Sequence, residues 1–283
     1  MYTSIYKEAL FKDKLIIVTG GGSGIGRCTA HELASLGAHL ILFGRSLEKL
    51  ENVAAELEHD GHACDYYSVD IRDSDAIKTA INDILSKHGK IDGLVNNAGG
   101  QFPSKLEDIS DKGWEAVVKN NLNGGFYMMR EVYNLHMKQH GGAIVNIVAT
   151  TAYGMPHMAH TGAARAGMVN LTQTAALEWV HSGVRVNAVA PGSVASSGME
   201  TYPEEFKKKL RERRHQIPMK RQATEAEISS AIVYLLSEGA SYITGEVFAV
   251  DGGLPLAKEN WTVAEHNNCK ANDGFPLYKA PSF

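Results

Sequence analysis

Short apolar runs alternate with helical patterns along most of the chain, and this alternation constrains the fold most strongly. The runs predict buried strands at residues 15–18, 40–43, 66–69, 93–95, 143–147, 184–189 and 247–250. Helical spacing predicts helices at residues 27–36, 47–57, 74–88, 112–139, 160–179 and 225–236. Strands that are apolar throughout are buried on both faces, and an intervening helix requires a parallel crossover. We therefore predict an α/β protein with a doubly wound parallel sheet.

The organisation of the chain points to one domain. Its 283 residues suffice for one large α/β domain or two small ones. No repeat, linker or change in composition interrupts the pattern before about residue 253. We predict a single domain over residues 1–253 and a C-terminal tail over 254–283, which is polar and aperiodic, as is typical of a surface arm.

Composition excludes several classes of protein. The net charge is −4, from 28 basic and 32 acidic residues, which gives no reason to expect nucleic acid or an anionic membrane as a partner. No apolar run approaches the roughly 18 residues of a membrane span, and the N-terminus lacks the pattern of a signal peptide. Cys28, Cys64 and Cys269 lie far apart, which favours neither disulfides nor a metal site. We expect a cytoplasmic protein that holds no metal and acts on a small molecule.

A glycine-rich turn joins the first predicted strand to the first predicted helix. It reads Thr-Gly-Gly-Gly-Ser-Gly-Ile-Gly over residues 19–26, a T-G-x3-G-x-G pattern rather than the strict G-x-G-x-x-G. Glycines allow a tight turn and let a pyrophosphate approach the N–H groups at the helix start, where the helix dipole favours negative charge. The residues expected to bind the phosphates of a dinucleotide are Gly20, Gly22, Ser23, Gly24, Ile25 and Gly26.

The end of the second predicted strand bears on the choice of cofactor. A carboxylate that binds the ribose 2′-hydroxyl of NAD(H) is expected there, but the chain has Phe43-Gly44-Arg45-Ser46 instead. Arg45 can pair with a 2′-phosphate through two hydrogen bonds. The sequence therefore favours NADP(H) over NAD(H).

Five motifs occur in the order and spacing of one enzyme family. They are residues 19–26, Asp70-Ile71, Asn96-Asn97-Ala98-Gly99, Asn121-Leu122 and Pro191-Gly192. Together they resemble the short-chain dehydrogenase/reductase family over about residues 11–253. The resemblance implies a Rossmann-like fold with NADP(H) or NAD(H) as cofactor.

The same resemblance assigns roles to individual residues. Asp70 and Ile71 hold the adenine ring, and Pro191 and Gly192 flank the nicotinamide. Asn97, Ala98 and Gly99 line the inner side of the cofactor, and Asn121 holds a water chain. The resemblance also implies a homotetramer formed through the long helix near Asn121 and the helix after residue 161. The apolar residues expected to supply its surface are Met128, Met129, Val132, Tyr133, Met168, Leu171 and Ala175, although an ordinary core explains part of this set.

The catalytic motif departs from the family pattern. The family usually carries a Ser and, about 13 residues later, a Tyr-x-x-x-Lys motif. Here Thr161 and Arg165 occupy the Tyr and Lys positions, and Ala149 stands at or near the Ser position. A threonine hydroxyl has no accessible pKa and arginine keeps its proton, so this pair cannot reproduce the Tyr/Lys acid–base unit. Interconversion of a carbonyl and an alcohol is therefore less expected.

Reduction of an activated C=C bond does not require the Tyr/Lys acid–base unit. Hydride adds to the β-carbon of an α,β-unsaturated thioester, and hydrogen-bond donors stabilise the enolate oxygen. Asn121, Tyr153 and Thr161 can supply such donors, while Arg165 can bind the ribose hydroxyls of the nicotinamide nucleoside. Residues 160–167, 97–102 and 112–114 also resemble the peroxisomal trans-2-enoyl-CoA reductase branch of the family, and the related dienoyl-CoA reductases lack the same tyrosine. An NADP(H)-dependent enoyl-CoA reductase is the expectation.

Two other functions stay open at this stage. One is an alcohol, aldehyde or 3-oxoacyl dehydrogenase acting on a branched or terpenoid substrate, with Tyr153 in place of the missing tyrosine. The other is a nucleotide-binding sensor or scaffold without catalytic activity.

A basic segment bears on the substrate. Eight of the 28 basic residues lie between Lys207 and Arg221, within the stretch of about 193–222 that corresponds to the substrate lid of the family. Basic residues on a lid suit the phosphates of an acyl-CoA. Because Glu204, Glu205 and Glu212 are interspersed, a solvated charged helix explains the segment equally well.

Overall fold

A parallel sheet forms the centre of the molecule, which we describe from a computed structural model over residues 1–151, 154–258 and 260–278. Its strands are β1 (Leu15–Thr19), β2 (His39–Gly44), β3 (Cys64–Ser68), β4 (Gly93–Asn96), β5 (Gly142–Ile147), β6 (Val184–Pro191) and β7 (Val247–Val250). The order across the sheet is β3-β2-β1-β4-β5-β6-β7, and every neighbouring pair is parallel. The doubly wound, Rossmann-like fold predicted from the apolar runs is confirmed.

Helices cover both faces of this sheet. They are α1 (Gly24–Ser35), α2 (Leu47–His59), α3 (Ser74–His88), α4 (Asp111–Val118), α5 (Gly124–Val132), α6 (Lys138–His140), α7 (Ala159–Trp179), α8 (Glu204–Glu212) and α9 (Glu225–Leu236). Apolar residues from both faces of the sheet fill two cores, one beneath α3, α5 and α7 and the other beneath α1, α2 and α9. No helix among the described residues is both long and apolar enough to cross a membrane.

The strand order reverses between β1 and β4. In an open parallel sheet, the carboxyl ends of the two strands at such a reversal diverge and leave a crevice in which ligands bind. The glycine-rich turn follows β1, and the Asn97-Ala98-Gly99 segment follows β4. The topology therefore brings these two segments together although 70 residues of sequence separate them.

The long helix predicted over residues 112–139 is interrupted twice. Two π-helical turns, Lys119–Asn123 and Tyr133–Met137, separate α4, α5 and α6. Single π turns inside α-helices are frequent at functional sites, and Asn121 lies in the first of them.

The residues expected to supply a tetramer surface lie mostly inside one chain. Met128, Met129, Val132, Tyr133, Met168 and Ala175 are all buried in the core beneath α5 and α7, and Leu171 packs against it. Helical spacing alone could not tell a stripe facing the sheet from a stripe facing a partner subunit. The six buried residues are therefore not available for subunit contacts, whereas such a role for the half-buried Leu171 stays a prediction.

The segment after residue 253 packs against the domain. Phe275 is 2% exposed and lies among Tyr2, Cys28 and Ala226, with its ring 5.3 Å from that of His31. The backbone N–H of Thr3 donates to the carbonyl oxygen of Gly274 at 3.0 Å. The described part of this segment thus covers α1 and the start of α9, whereas its polar, aperiodic sequence indicated a surface arm.

Candidate active site

The glycine-rich turn forms a cradle at the start of α1. Gly20 and Gly24 have φ values of +66° and +57°, which glycine adopts without strain. A Cβ atom on Gly26 would collide with the carbonyl oxygen of Gly20 and with Nδ2 of Asn97. Ser23 makes no side-chain cap, and the first turn of α1 contains no acidic residue. The start of this helix is therefore suited to a phosphate group.

A cleft of about 210 Å³ opens beside this cradle. Many of the residues predicted to bind the cofactor line it, namely Gly20, Gly22, Ser23, Arg45, Asp70, Ile71, Ala98 and Gly99. Arg45 and Lys49 are exposed at the same cleft, and within the described residues neither forms an ion pair. These two cations give the end of the cleft near β2 a positive charge.

Asp70 lies at the far side of the cleft, just after β3. Arg72 binds it through Nε at 2.9 Å and Nη2 at 2.5 Å, while the backbone N–H of Arg72 donates to Oδ1 at 3.0 Å. These hydrogen bonds hold the pKa of Asp70 below its usual value. Asp70 is therefore ionised and fixed in orientation, and Ile71 beside it supplies an apolar wall.

Thr19 ties the segment after β4 to the end of β1. Its hydroxyl donates to the carbonyl oxygen of Val95 at 3.2 Å and accepts from the backbone N–H groups of Asn97 and Ala98 at 3.0 and 2.9 Å. The side chain of Asn97 donates back to the carbonyl oxygen of Thr19 at 3.0 Å. This network fixes the inner wall of the cleft. Thr19 was part of the recognised motif, but its role could not be seen without the β1–β4 pairing.

Asn121 clamps the loop after β4. Its Nδ2 donates to the carbonyl oxygen of Gly100 at 2.8 Å, and its Oδ1 accepts from the backbone N–H of Gly100 at 2.9 Å. Asn121 is 2% exposed. Both ends of the amide are thus used by the loop, so Asn121 acts here on the backbone of the site.

Arg165 reaches the carboxyl end of β5. Its Nη1 donates to the carbonyl oxygen of Ile147 at 2.5 Å, and its Nη2 lies 3.4 Å from Oδ1 of Asn121. Burial lowers the pKa of the guanidinium to about 10, so it stays charged at neutral pH. No carboxylate among the described residues pairs with it. Arg165 therefore places an uncompensated positive charge next to Gly99 and Asn121.

Thr161 stands at the tyrosine position of the predicted catalytic motif. It is 1% exposed in the first turn of α7, and its hydroxyl lies 3.4 Å from Nδ1 of His160. His160 is fully buried, packs edge-on against Phe102 at 4.6 Å, and has a pKa that burial lowers. A neutral imidazole therefore neighbours Thr161. Tyr153, the other predicted donor, lies outside the described residues.

The lid reaches across to the loop after β4. Nε2 of Gln101 donates to the hydroxyl of Tyr202 at 2.8 Å, and Tyr202 packs against Phe206 of α8 with 5.2 Å between ring centroids. Pro191 ends β6 at the base of this lid, where the N–H of Gly192 donates to the carbonyl oxygen of Val250 at 2.9 Å. The segment after β6 thus contacts the loop after β4.

Most basic residues of the segment form ion pairs, partly within α8 and partly with carboxylates outside the lid. Lys207 lies 2.6 Å from Glu204, Lys209 lies 3.0 Å from Glu205, and Arg221 lies 2.6 Å from Glu227. Pairs of this kind on an exposed helix match a solvated charged face. Of the two interpretations of this segment, the structure favours the solvated face over a CoA-docking surface.

Among the lining residues that sequence reasoning did not assign to the cleft, the three with polar side chains are Ser46, Lys49 and Asn120. Ser46 caps α2, since its hydroxyl accepts from the N–H of Lys49. Arg45 precedes this cap and Lys49 lies in the first turn of α2, so the start of the helix brings both cations to the cleft.

The chain is similar to known proteins over most of its length. The family model described as Enoyl-(Acyl carrier protein) reductase matches residues 20–255. The peroxisomal 2,4-dienoyl-CoA reductase of Danio rerio is 36% identical over 263 residues, which cover 92% of this chain and 87% of that protein. The 3-oxoacyl-(acyl-carrier-protein) reductase of Thermotoga maritima is 36% identical over 244 residues, covering 86% of this chain and 98% of its own length.

A solved structure is also similar over most of the chain. The citronellol catabolism dehydrogenase of Pseudomonas aeruginosa is 51% identical and superimposes with a TM-score of 0.81, covering 89% of this chain and 99% of that one. The cleft, the motifs around it and these similarities all concern the same region of the chain.

Proposed function

The chain belongs to the short-chain dehydrogenase/reductase family of oxidoreductases, and from this premise we propose that it is an NADPH-dependent reductase of a C=C bond conjugated to a thioester, with an enoyl-CoA as substrate. Members of the family use NAD(H) or NADP(H) on small molecules. One sequence observation carries the finer proposal: in the register that we propose with the family motif, Arg165, which keeps its proton, takes the position of the acid–base lysine.

The residues of the cleft fit a dinucleotide. The cradle at residues 20–26 has the backbone freedom and the free helix start that a pyrophosphate needs, and Asp70 and Ile71 form a polar and an apolar edge for the adenine ring. Arg45 and Lys49 favour the additional 2′-phosphate of NADPH.

The proposed chemistry needs charge stabilisation more than proton transfer. When bound, NADPH supplies a hydride to the alkene carbon β to the thioester. The positive charge of Arg165 and a hydroxyl donor from Thr161 or Tyr153 stabilise the enolate oxygen, and Asn121 keeps the neighbouring loop in place. Water protonates the α-carbon once the enolate has formed. In most of the family, by contrast, a tyrosine and a lysine move a proton to or from an alcohol.

The 51% identical dehydrogenase favours a second candidate, oxidation of a branched or terpenoid alcohol or aldehyde. In that case Tyr153 takes the role of the missing tyrosine. The similarity to a 3-oxoacyl reductase supports carbonyl chemistry in the same way.

A single assay separates these possibilities. The purified chain is mixed with NADPH and crotonyl-CoA or 2,4-hexadienoyl-CoA, and the absorbance of NADPH is followed while the product is identified by mass spectrometry. We expect NADPH oxidation and a product heavier by two hydrogens. Turnover only with citronellol or another alcohol and NADP⁺ would select the second candidate. Tight NADPH binding with no turnover on either panel would select a sensor or scaffold.

Two further family features are part of the proposal. We infer a homotetramer and a cytoplasmic location, with Phe126 on α5 and Leu177 on α7 as exposed apolar side chains available for subunit contacts. Mass photometry of the purified chain measures the oligomeric state directly.

A further inference from the structure

Three side chains that commonly bind metals meet at the amino end of the sheet, opposite the nucleotide cleft. His39 begins β2, Asp65 is the second residue of β3, and His88 is the last residue of α3. We call these three residues the His39 cluster. Within the described residues, it is the only group of three or more His, Cys, Asp or Glu side chains whose ligand atoms converge closely enough to hold an ion.

Strand alternation explains why the first two side chains face each other. Successive side chains of a strand point to opposite faces, so His39, Ile41 and Phe43 share one face of β2. Asp65 and Tyr67 share the same face of β3, since the rings of Tyr67 and Phe43 lie 5.7 Å apart. Cys64, the neighbour of Asp65 in the strand, points to the other face of β3 and packs against the core beneath α1, α2 and α9.

Helix α3 brings the third side chain to this face. Ile77, Ile81 and Ile84 of α3 pack into the same core as Ile41, so the helix covers this side of β2 and β3. It runs antiparallel to the strands, and its last turn therefore lies over their amino ends. His88 reaches the cluster from there. The carboxyl end of a helix also favours a nearby cation.

The geometry places two imidazole nitrogens around one carboxylate oxygen. Oδ2 of Asp65 lies 2.8 Å from Nε2 of His39 and 3.0 Å from Nε2 of His88. The His39 contact is a hydrogen bond, whereas Nε2 of His88 is enclosed and finds no hydrogen-bond partner among the described residues. The two rings lie 4.8 Å apart. An Nε2 that carries a hydrogen can donate it to Oδ2 of Asp65, whereas two Nε2 atoms without hydrogen can share one cation with that oxygen.

We propose that His39, Asp65 and His88 bind a divalent transition-metal ion of the zinc class. Imidazole and carboxylate ligands suit such ions, and zinc bonds of about 2.0–2.1 Å separate tetrahedral ligand atoms by about 3.3 Å. The two contacts need to lengthen by only about 0.3–0.5 Å to reach that spacing. The side chains of His39 and Asp65 are each 37% exposed and that of His88 is 23% exposed, so an ion and a fourth ligand from water can enter.

Such an ion would act on the stability of the sheet edge. β3 is the outermost strand on this side and pairs only with β2 within the described sheet. The ion would join β2, β3 and the last turn of α3 at one point. The opposite ends of β2 and β3 carry Arg45 and Asp70, so the ion would stiffen the pair of strands that supports the adenine end of the cleft.

Calorimetry on the full chain tests this proposal. Protein stripped with EDTA and freed of chelator is titrated with ZnCl₂ alone near neutral pH. We expect one zinc ion per chain, and affinity at least tenfold weaker in His39→Gln, Asp65→Asn and His88→Gln. The matched controls are His136→Gln and His140→Gln, whose rings form the stacked pair at 4.3 Å near α6, and these should bind zinc as the wild type does.

Two outcomes would overturn the proposal. One is the absence of saturable zinc binding to the wild type. The other is binding that survives in His88→Gln but is lost in His140→Gln, which would place the ion elsewhere.

A second measurement distinguishes the loss of a metal ligand from the failure of a variant to fold. In His88→Cys, a bound Co²⁺ should show a sulfur-to-metal charge-transfer band that the wild type lacks, which identifies residue 88 as a ligand by a gained signal. Circular dichroism of the metal-free variant checks its fold. A folded His88→Cys protein that binds Co²⁺ without this band contradicts the proposal. Because an ion that binds only the native state stabilises it, zinc should also raise the Tm of the wild type and not that of Asp65→Asn.

Discussion

Arg165 and Asn121 approach each other across the floor of the candidate site, with Nη2 of the guanidinium 3.4 Å from Oδ1 of the amide. The two residues are 44 positions apart, on α7 and on the π-helical turn before α5. Gly99 lies against both, and its lack of a side chain is what allows the approach.

Replacing Gly99 by alanine should therefore damage the site. The added Cβ would collide with Nη2 of Arg165 and lie 2.8 Å from Oδ1 of Asn121. Overpacking of this kind typically costs about 1–3 kcal/mol. We expect Tm to fall and kcat/KM for an enoyl-CoA to drop at least tenfold. In the control Gly100→Ala, the nearest atom is Nδ2 of Asn120 at 3.2 Å, a side-chain end that can move. Equal losses in the two variants would argue against a specific role of the Arg165–Asn121 contact.

Thr161→Val removes a hydroxyl while keeping the shape of the side chain. If this hydroxyl stabilises the enolate, kcat should fall by roughly 10²–10³-fold, the scale of one lost oxyanion donor, and Thr161→Ser should restore most of it. Steady-state kinetics and thermal unfolding are measured together. The control is Thr172→Val on the same helix, whose hydroxyl donates to Met168 and accepts from Asn146. That variant should lose stability and keep kcat, and a similar pattern for Thr161→Val would assign Thr161 a structural role.

Arg45→Ala should weaken binding of NADPH without affecting NADH. Loss of a charge-assisted hydrogen bond to the 2′-phosphate costs about 1.5–3 kcal/mol, which corresponds to roughly 10–100-fold in Kd. Fluorescence titration with each cofactor measures both affinities. Lys78→Ala, an exposed cation on α3 away from the cleft, is the control and should change neither. If Arg45→Ala lowers the affinities for NADPH and NADH equally, Arg45 does not bind the 2′-phosphate.

Glu32 should make stability depend on pH. Burial raises the pKa of its carboxyl, although the hydroxyls of Ser229, Ser4 and Tyr2 donate to it. A carboxyl whose pKa is raised by folding holds its proton more tightly in the native state, so its favourable contribution is present in acid and is lost as pH rises through the folded-state pKa. The unfolding free energy of the wild type relative to Glu32→Gln should therefore fall as pH rises above about 4.3.

Urea denaturation at several pH values measures how the unfolding free energies of the wild type and of Glu32→Gln change with pH. Glu227→Gln is the control, for which we expect the opposite dependence of the unfolding free energy on pH. Burial alone would raise the pKa of Glu227, but hydrogen bonds from Arg221 and from the N–H groups of Thr224 and Asn272 lower it overall. Its contribution should be lost as pH falls. Parallel slopes for the two variants would contradict these assignments.

Phe275→Ala should destabilise the domain although the residue lies outside the predicted core. Removing a buried phenylalanine side chain typically costs about 3–5 kcal/mol, and this one packs against Tyr2, His31 and Cys28. Chemical denaturation measures the change. Leu277→Ala, two residues away and 45% exposed, should have little effect. Comparable stability of the two variants would show that the contacts of Phe275 contribute little.

Local patterns predicted the sheet well because each strand is marked by its own residues. The run 247–250 and the helix 74–88 were placed at their observed bounds, and the glycine-rich turn was assigned to the start of α1. Buried parallel strands need no partner information to be recognised, since their apolar runs are continuous. The prediction of burial was wrong for the edge strands β3 and β7, which are at most half-buried because each has a neighbour on one side only.

Contacts between distant segments were beyond local patterns. Phe275 had no periodic neighbours to mark it as buried, and the side chains of His39, Asp65 and His88 converge only after β2, β3 and α3 have packed. The double clamp of Asn121 on Gly100 likewise depends on how the π-helical turn meets the loop after β4. Helical spacing placed Met128 and Met168 on apolar stripes but could not say which stripe faces the sheet.

The reversal of strand order between β1 and β4 has a consequence for engineering this enzyme. The cofactor cradle, Arg45 and Asp70 follow β1, β2 and β3, whereas the groups proposed to meet the substrate follow β5 and β6 or rise from α7. A mutant library confined to the segment after β5 and to the lid would therefore vary the accepted substrate while leaving coenzyme preference intact. Coenzyme preference could be exchanged separately at Arg45 and Lys49, so that the two properties can be selected in independent rounds and then combined.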